Sequence, residues 1–201
     1  MKKLLILFIA FFCLQALFAQ DQVKIDSLRI RLQNAREDTA KVRLLFELSD
    51  VYGKTDIIKA LQFSKDALQL SNQLNSDLYI ARSYIKLGSN LIVMGNYDEA
   101  LKNFLSSLKI AQDNKLQHEE FISLSNLGVI QDRIDKFDNA LKYYFEALNI
   151  YNKNHEKGKP IKKHKLATDF IPQKHLALHT KIIDARDKIL AHLDLDIRDA
   201  K

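Results

Sequence analysis

Apolar residues recur every three or four positions through most of the chain, which is the spacing that places them on one face of an α-helix. This periodicity predicts six helices that pair in order, at about 40–52 with 56–72, 77–93 with 97–113, and 117–133 with 137–153. A further amphipathic helix is predicted within residues 20–39, and its apolar face consists of Ile25, Leu28, Leu32 and Ala35. The pattern favours an all-α protein built from antiparallel helix pairs.

The helix pairs repeat along the chain with a period of 40. Residue types recur at that spacing in five columns: Ala60, Ala100 and Ala140; Leu61, Leu101 and Leu141; Ala67, Ser107 and Ala147; Leu68, Leu108 and Leu148; Leu70, Ile110 and Ile150. Gly88 and Gly128 match in the same register. Since such units bury their apolar faces against their neighbours, the columns predict three stacked repeats over residues 40–153.

Short polar segments separate the predicted helices. Gly95-Asn96 and Asp135-Lys136 lie between paired helices and are typical of turns. Aspartate oxygens accept hydrogen bonds from the first backbone N–H groups of a helix. The residues expected to cap helices in this way are Asp38, Asp56 and Asp98.

Small and large residues alternate within each repeat, as close packing of two helices requires. The second unit has Tyr84, Leu87, Gly88, Tyr97, Ala100, Phe104 and Ser107, and the third has Leu124, Leu127, Gly128, Phe137, Ala140, Tyr144 and Ala147. These residues resemble the tetratricopeptide repeat (TPR) family, although Leu48 replaces the expected Gly in the first unit and the family period is about 34. The resemblance implies a TPR-like α-solenoid whose concave face binds peptides or helices.

The resemblance further implies that the first helix of each pair lines the binding face. The residues expected there are Arg82, Ile85, Ser89, Ile92, Ile122, Ser125, Val129, Asp132 and Arg133. The apolar members would bury surface of a protein or peptide partner, and the charged members would set its register. The Lys and Asn pair with which some family members hold a C-terminal carboxylate is absent, so recognition of a chain end is not expected. The alternative is that several of these residues pack on neighbouring helices and bind nothing.

Residues 1–19 have the layout of a secretory signal peptide. Lys2 and Lys3 precede an unbroken apolar run, and apolar residues dominate as far as Ala19. We expect cleavage after Ala19 and a periplasmic or secreted protein; the alternative is an uncleaved anchor, although the run is short of the ~20 residues that span a bilayer. Cys13 is the only cysteine. Cleavage would therefore leave no thiol for a disulfide, for catalysis or for zinc.

The repeat ends near residue 153, and much of the formal net charge of +6 lies beyond it. Residues 154–173 are predicted to form a solvated basic linker, because Gly158 and Pro160 oppose a helix. A weak contact with an anionic surface would use Lys157, Lys159, Lys162, Lys163 and Lys165. Residues 174–201 are predicted to form a C-terminal helix of uncertain origin, with one apolar stripe made of Leu178, Ile182, Ala185, Ile189 and Leu193.

The predicted C-terminal helix carries a second functional hypothesis. Arg186 and His192 have the R-x(4–6)-H spacing of HEPN-type RNA-cleaving domains, and that resemblance implies that they would act on an RNA phosphate. Nucleic acid is nevertheless not an expected partner, since an export signal would separate the chain from cellular RNA. His175 and His179 share a helical face but lack a third ligand, so no metal and no other cofactor is expected.

Residues 21–153 contain no nucleophile motif and no Gly-rich phosphate loop. The sequence therefore predicts a protein that is not an enzyme, a protein- or peptide-binding scaffold or sensor module of the cell envelope. RNA cleavage by Arg186 and His192 is the alternative. A sensor fragment without its output domain, or a truncated or spliced reading frame, is a third interpretation.

Overall fold

The structure, a computed structural model, describes residues 22–156, and in this part of the chain every regular element is a helix, with no strand. Helix α1 covers 22–33, and the others are α2 (Thr39–Tyr52), α3 (Ile57–Gln73), α4 (Asp77–Val93), α5 (Tyr97–Asp113), α6 (Gln117–Arg133) and α7 (Phe137–Glu156). Helices α2 to α7 begin and end within three residues of their predicted positions. Because α7 extends to Glu156, the first three residues of the predicted linker are helical. The predicted signal peptide and C-terminal helix lie outside the described residues.

The described residues up to Ile150 belong to one compact unit, and a second unit begins at Tyr151, within α7. In the first unit, α2 packs on α3, α3 on α4, α4 on α5 and α5 on α6. The first helices of successive pairs also adjoin, α2 with α4 and α4 with α6. Packing of each helix on its neighbours in sequence is the architecture of an α-solenoid, as the sequence predicts.

The turns explain the length of the repeat. Backbone dihedral φ is positive at Asn75, Gly95, Lys115 and Asp135, which recur at every twentieth position. After each of these residues, a backbone N–H donates to the carbonyl five residues earlier, as in the bond from Asn96 to Leu91 (2.9 Å), which is the Schellman ending of a helix. Four consecutive helices, α3 to α6, have 17 residues each. Each helix and its three-residue turn make one step, and two such steps make one repeat with the period of 40.

Two of the three predicted caps are confirmed. Oδ1 of Asp38 accepts from the N–H of Ala40 at 2.8 Å, and Oδ1 of Asp56 accepts from the N–H of Lys59 at 3.1 Å. The prediction for Asp98 is wrong, because α5 begins at Tyr97, two residues too early for Asp98 to cap it. Asn96 caps α5 instead, accepting from the N–H of Glu99 at 3.3 Å, and Asp98 lies in the first turn of α5.

Glycine lets the helices of the second and third pairs approach closely. A Cβ atom at Gly88 would lie 2.6 Å from Cε2 of Phe104, and one at Gly128 would lie 2.6 Å from Cε1 of Tyr144. Phe104 is completely buried. The aromatic ring on the second helix therefore fills the space that any side chain on the first helix would need.

The first pair occupies the same two columns with the sizes exchanged. Leu48 stands one repeat before Gly88, and Ser64 stands one repeat before Phe104. Leu48 and Ser64 are both fully buried. A large residue on the first helix and a small one on the second conserve the summed volume, which cores tolerate well. The departure of Leu48 from the repeat pattern is thus compensated within its own pair.

Buried hydroxyl groups join the first pair to α4. Oγ of Ser49 and Oγ of Ser64 lie 2.9 Å apart, and Nδ2 of Asn90 donates to both, at 3.0 Å and 2.9 Å. Similar hydroxyl pairs join later helices: Ser71 with Ser83 at 3.2 Å, and Ser107 with Ser123 at 2.9 Å. Each of these polar groups has a partner, so burying it leaves no hydrogen bond unmade.

Helix α1 covers the start of the solenoid. Ile25 and Leu28 are buried in a cluster with residues of α2 and α3, and Leu32 and Ala35 pack against it. These four residues are the apolar face that the periodicity predicts for the helix. Their burial confirms that α1 is part of the same core.

Candidate partner-binding face

The surface in question, here called the first-helix face, is the side of α2, α4 and α6 that their partner helices leave uncovered. Because α2 adjoins α4 and α4 adjoins α6, the three helices form one continuous layer. Side chains that reach from one of these helices to the next therefore determine what this surface presents to a partner.

One ion pair joins α4 to α6. Nε of Arg82 donates to Oε1 of Glu119 at 2.7 Å. The side chain of Glu119 is only 4% exposed, whereas that of Arg82 is 40% exposed. Arg82 is one of the predicted partner-binding residues, and the structure shows that its guanidinium is anchored by a carboxylate from the next repeat. Nothing in the spacing of the sequence indicates this pairing.

A second set of contacts joins α2 to α4. Nζ of Lys86 lies 2.6 Å from Oδ1 of Asp50 and 5.9 Å from the ring centroid of Phe46. Nη1 of Arg43 donates to the hydroxyl of Tyr79 at 3.3 Å. The rings of Phe46 and Tyr79 stack with their centroids 6.4 Å apart. Sequence reasoning missed all five residues, although both aromatic rings stand on the predicted first helices.

Several predicted site residues serve the interior as well as the surface. Ile85 and Ile92 are half-buried and pack against the main core cluster. The hydroxyl groups of Ser89 and Ser125 donate to carbonyl oxygens of their own helices, at 2.9 Å and 2.8 Å. These four side chains shape the face, but the two hydroxyl protons already have acceptors.

The remaining predicted residues differ in how far a partner could reach them. Ile122 and Val129 are half-buried, and Arg133 is exposed. Asp132 is buried. The burial of Tyr144 on α7, and next the negative charge of Asp132, raise the pKa of that tyrosine. Of the predicted set, Arg133 is thus the exposed member and Asp132 the buried one, and the others are half-buried.

A separate open cavity of about 750 Å³ lies among α1, the loop that follows it, α2 and α3. Its lining combines leucines, amides and charged side chains: Leu32, Gln33, Glu37, Lys41, Leu45, Asp66, Gln69, Leu70 and Gln73. None of the predicted partner-binding residues lines this cavity.

Metal binding and membrane insertion are two further properties to consider for the described residues. Within residues 22–156, no group of three or more His, Cys, Asp or Glu side chains could hold a metal ion. None of the described helices combines the length and the apolarity needed to cross a bilayer. The five lysines of the predicted anionic contact, and Arg186 and His192 of the ribonuclease hypothesis, lie outside this part of the chain.

Comparison with known proteins agrees with this architecture. Residues 79–153 match the family model described as Tetratricopeptide repeat. The chain is 25% identical over 135 residues to Response regulator aspartate phosphatase I of Bacillus subtilis (strain 168), an alignment covering 62% of this chain and 32% of the relative. The chain thus spans about a third of the length of this curated relative.

Two solved structures share the fold. The apo form of RapI superimposes with a TM-score of 0.62 at 23% identity, over 76% of this chain and 42% of that one. A Rap protein complexed with Competence and Sporulation Factor gives a TM-score of 0.62 at 20% identity, over 69% of this chain and 40% of that one.

The stacked antiparallel helix pairs define an α-solenoid, a helical-repeat protein. The glycine-aromatic contacts of the second and third pairs fall within the residues that match the family model. Residues 79–153 therefore match the tetratricopeptide repeat, and the described helix pairs recur with a period of 40.

Proposed function

We propose that the protein is a non-catalytic TPR scaffold that binds a protein or peptide partner on the first-helix face. The observation that carries this proposal is the set of cross-helix contacts there, which hold Arg82 and Lys86 in place before any partner arrives. Side chains that are already ordered lose little conformational entropy on binding. Half-buried Ile122 and Val129 would add apolar surface on the same layer.

The relatives support the same function. One of the solved structures is a Rap protein in complex with Competence and Sporulation Factor, so a helical repeat of this fold holds a bound factor there. The relative from Bacillus subtilis is named as an aspartate phosphatase, and that activity is stated of the relative alone. We propose no phosphatase activity for this chain, because the alignment covers 32% of that relative.

Photo-crosslinking in the native host tests the proposed face. A photoreactive phenylalanine analogue would replace Ile122 or Arg133 on the first-helix face. The matched control carries the analogue at Leu105, which lies on α5 and is 40% exposed. We expect a crosslinked partner from positions 122 and 133 and little from 105. Equal yields at all three positions, or a product from 105 alone, would contradict the proposal.

We further propose that the protein is exported, on the basis of the signal-peptide pattern in residues 1–19. Intact mass spectrometry of cell fractions tests this directly. A periplasmic or secreted species that begins at Gln20 is expected. A full-length species confined to the cytoplasm would contradict export and would leave the binding proposal standing.

A further inference from the structure

We propose that Arg43 and Arg82 together bind one carboxylate of an acidic segment in the partner protein, where α2 adjoins α4. The inference rests on the proposed function, because it specifies the chemistry of a partner on the first-helix face. Three features of the face support this site: its balance of charge, the position of the two guanidinium groups and the hydrogen-bond donors that these groups leave unused.

The charge balance leaves one cation in excess. Three carboxylates on α2 and α6 each have a cationic partner: Glu47 with Arg31 at 3.9 Å, Asp50 with Lys86 at 2.6 Å, and Glu119 with Arg82 at 2.7 Å. Arg43 pairs with no carboxylate among residues 22–156, and its hydrogen bond goes to the neutral phenol of Tyr79. An exposed guanidinium without a counter-charge attracts an anionic group.

Tyr79 contacts both arginines. It is buried, with 8% exposure, and its hydroxyl accepts from Nη1 of Arg43 at 3.3 Å. Cζ of Arg82 lies 5.8 Å from the centroid of the same ring. Stacking on Phe46 fixes the ring from the α2 side. One buried phenol thus contacts guanidinium groups from two different repeats.

Both guanidinium groups keep donors for a partner. Arg82 uses Nε on Glu119, and Arg43 uses Nη1 on Tyr79, whereas each guanidinium has five N–H bonds. The carboxylate of Glu119 is almost entirely covered, and its charge is balanced by the ion pair with Arg82. Planar guanidinium groups recognise carboxylates through paired hydrogen bonds, which favours an Asp or Glu side chain of the partner.

Selection from a random dodecapeptide phage library on the immobilised full chain tests this inference. The most enriched peptide would be synthesised, and its affinity measured for the wild type, for Arg43→Gln and for the double variant Arg82→Gln, Glu119→Gln. The double variant removes the buried carboxylate together with its partner, so no unpaired charge is left inside. Arg29→Gln, on α1, removes the same charge elsewhere and serves as the matched control.

We expect selected peptides to share an Asp or Glu at a fixed position. Loss of a charge-assisted hydrogen bond should weaken binding about tenfold in Arg43→Gln and in the double variant, and leave Arg29→Gln unchanged. Selected peptides without a shared acidic residue, or affinities unaffected by both variants, would overturn the carboxylate site and leave peptide binding intact. Failure to enrich any peptide would count against the proposed function itself.

Discussion

The first helix pair and the two that follow build the same backbone with opposite side-chain sizes. The two positions that face each other hold Leu48 and Ser64 in the first pair. They hold Gly88 and Phe104 in the second pair, and Gly128 and Tyr144 in the third. In each pair one large and one small residue share the space between the helices. What the repeat conserves is therefore the summed volume of a column pair and not the glycine itself.

The two regions also differ in how polar their interiors are. Asn90 is buried and bonded to the hydroxyls of Ser49 and Ser64, so the first pair is joined to α4 by hydrogen bonds. The equivalent position in the third unit, one repeat later, is Ile130, which is fully buried. At this position of the repeat, a bonded amide in the second unit is thus replaced by an apolar side chain in the third.

The largest expected effect comes from Leu48→Gly, which would give the first unit the family residue. Because Ser64 is too small to fill the space left by the leucine, we expect the free energy of unfolding to fall by about 3–5 kcal/mol, measured by urea denaturation. The double variant Leu48→Gly, Ser64→Phe should recover part of this loss. A Leu48→Gly protein as stable as the wild type would show that the column pair does not share one volume.

Gly88→Ala tests the opposite arrangement. The new Cβ would meet the ring of Phe104 at 2.6 Å, so we expect overpacking to lower the free energy of unfolding by about 1–3 kcal/mol. Shortening the opposing residue in Gly88→Ala, Phe104→Leu should make the alanine less costly than it is in the wild-type background. If the alanine costs the same in both backgrounds, the ring does not cause the loss.

Tyr144→Phe gives the third pair the aromatic residue that the second pair has at the same position, Phe104. The Tyr144 hydroxyl is buried and has no hydrogen-bond partner in the described part of the chain, so its removal should raise the free energy of unfolding by about 1 kcal/mol. The matched change Phe104→Tyr should lower it. Thermal and urea denaturation of both variants measure the difference. A destabilised Tyr144→Phe would contradict the claim that the hydroxyl is buried without a hydrogen bond.

The same tyrosine gives a pH signature. Burial, and next the negative charge of Asp132, raise the pKa of Tyr144 in the folded protein. Above about pH 10 the unfolded chain releases this proton while the folded chain retains it, so stability falls as pH rises. We expect the stability advantage of Tyr144→Phe over the wild type to widen above that pH. A constant difference across the range would be the contrary result.

The smallest expected effect lies in the turns. Lys115 has a φ of 56°, which is a left-handed conformation. Gly95, in the turn between α4 and α5, has a similar φ of 76°. Lys115→Gly relieves the strain of a side chain there and should raise the free energy of unfolding by about 0.5–1 kcal/mol. Gly95→Lys should do the reverse. Loss of stability in Lys115→Gly, measured by urea denaturation, would argue against this account of the turn.

The sequence predicts most of the fold because each helix has its own apolar periodicity. The three-residue turns and the period of 40 place α2 to α7 within a few residues. The compensation of Leu48 by Ser64 was also present in the sequence, but it appears only when the two columns are compared as a pair. Periodicity places the start of α5 correctly at Tyr97, and the cap is the residue before that start, Asn96, so Asp98 lies inside the helix.

The candidate site is less predictable than the fold. The ion pair of Arg82 with Glu119 and the hydrogen bond of Arg43 with Tyr79 join residues 37 and 36 positions apart, on different repeats. Such contacts depend on how neighbouring first helices are offset, and no periodicity within one helix reports that offset. The sequence could indicate the helices that form the face, but not which side chains on it already have partners.

The most direct test of the first-helix face is hydroxyl-radical footprinting of the protein with and without the most enriched phage-selected peptide. Our account predicts that the peptide slows oxidation of Ile122 and Val129 on α6 and leaves Leu105 on α5 unchanged. Protection of Leu105 with no protection of Ile122 and Val129 would contradict it, because the partner would then lie on the second helices.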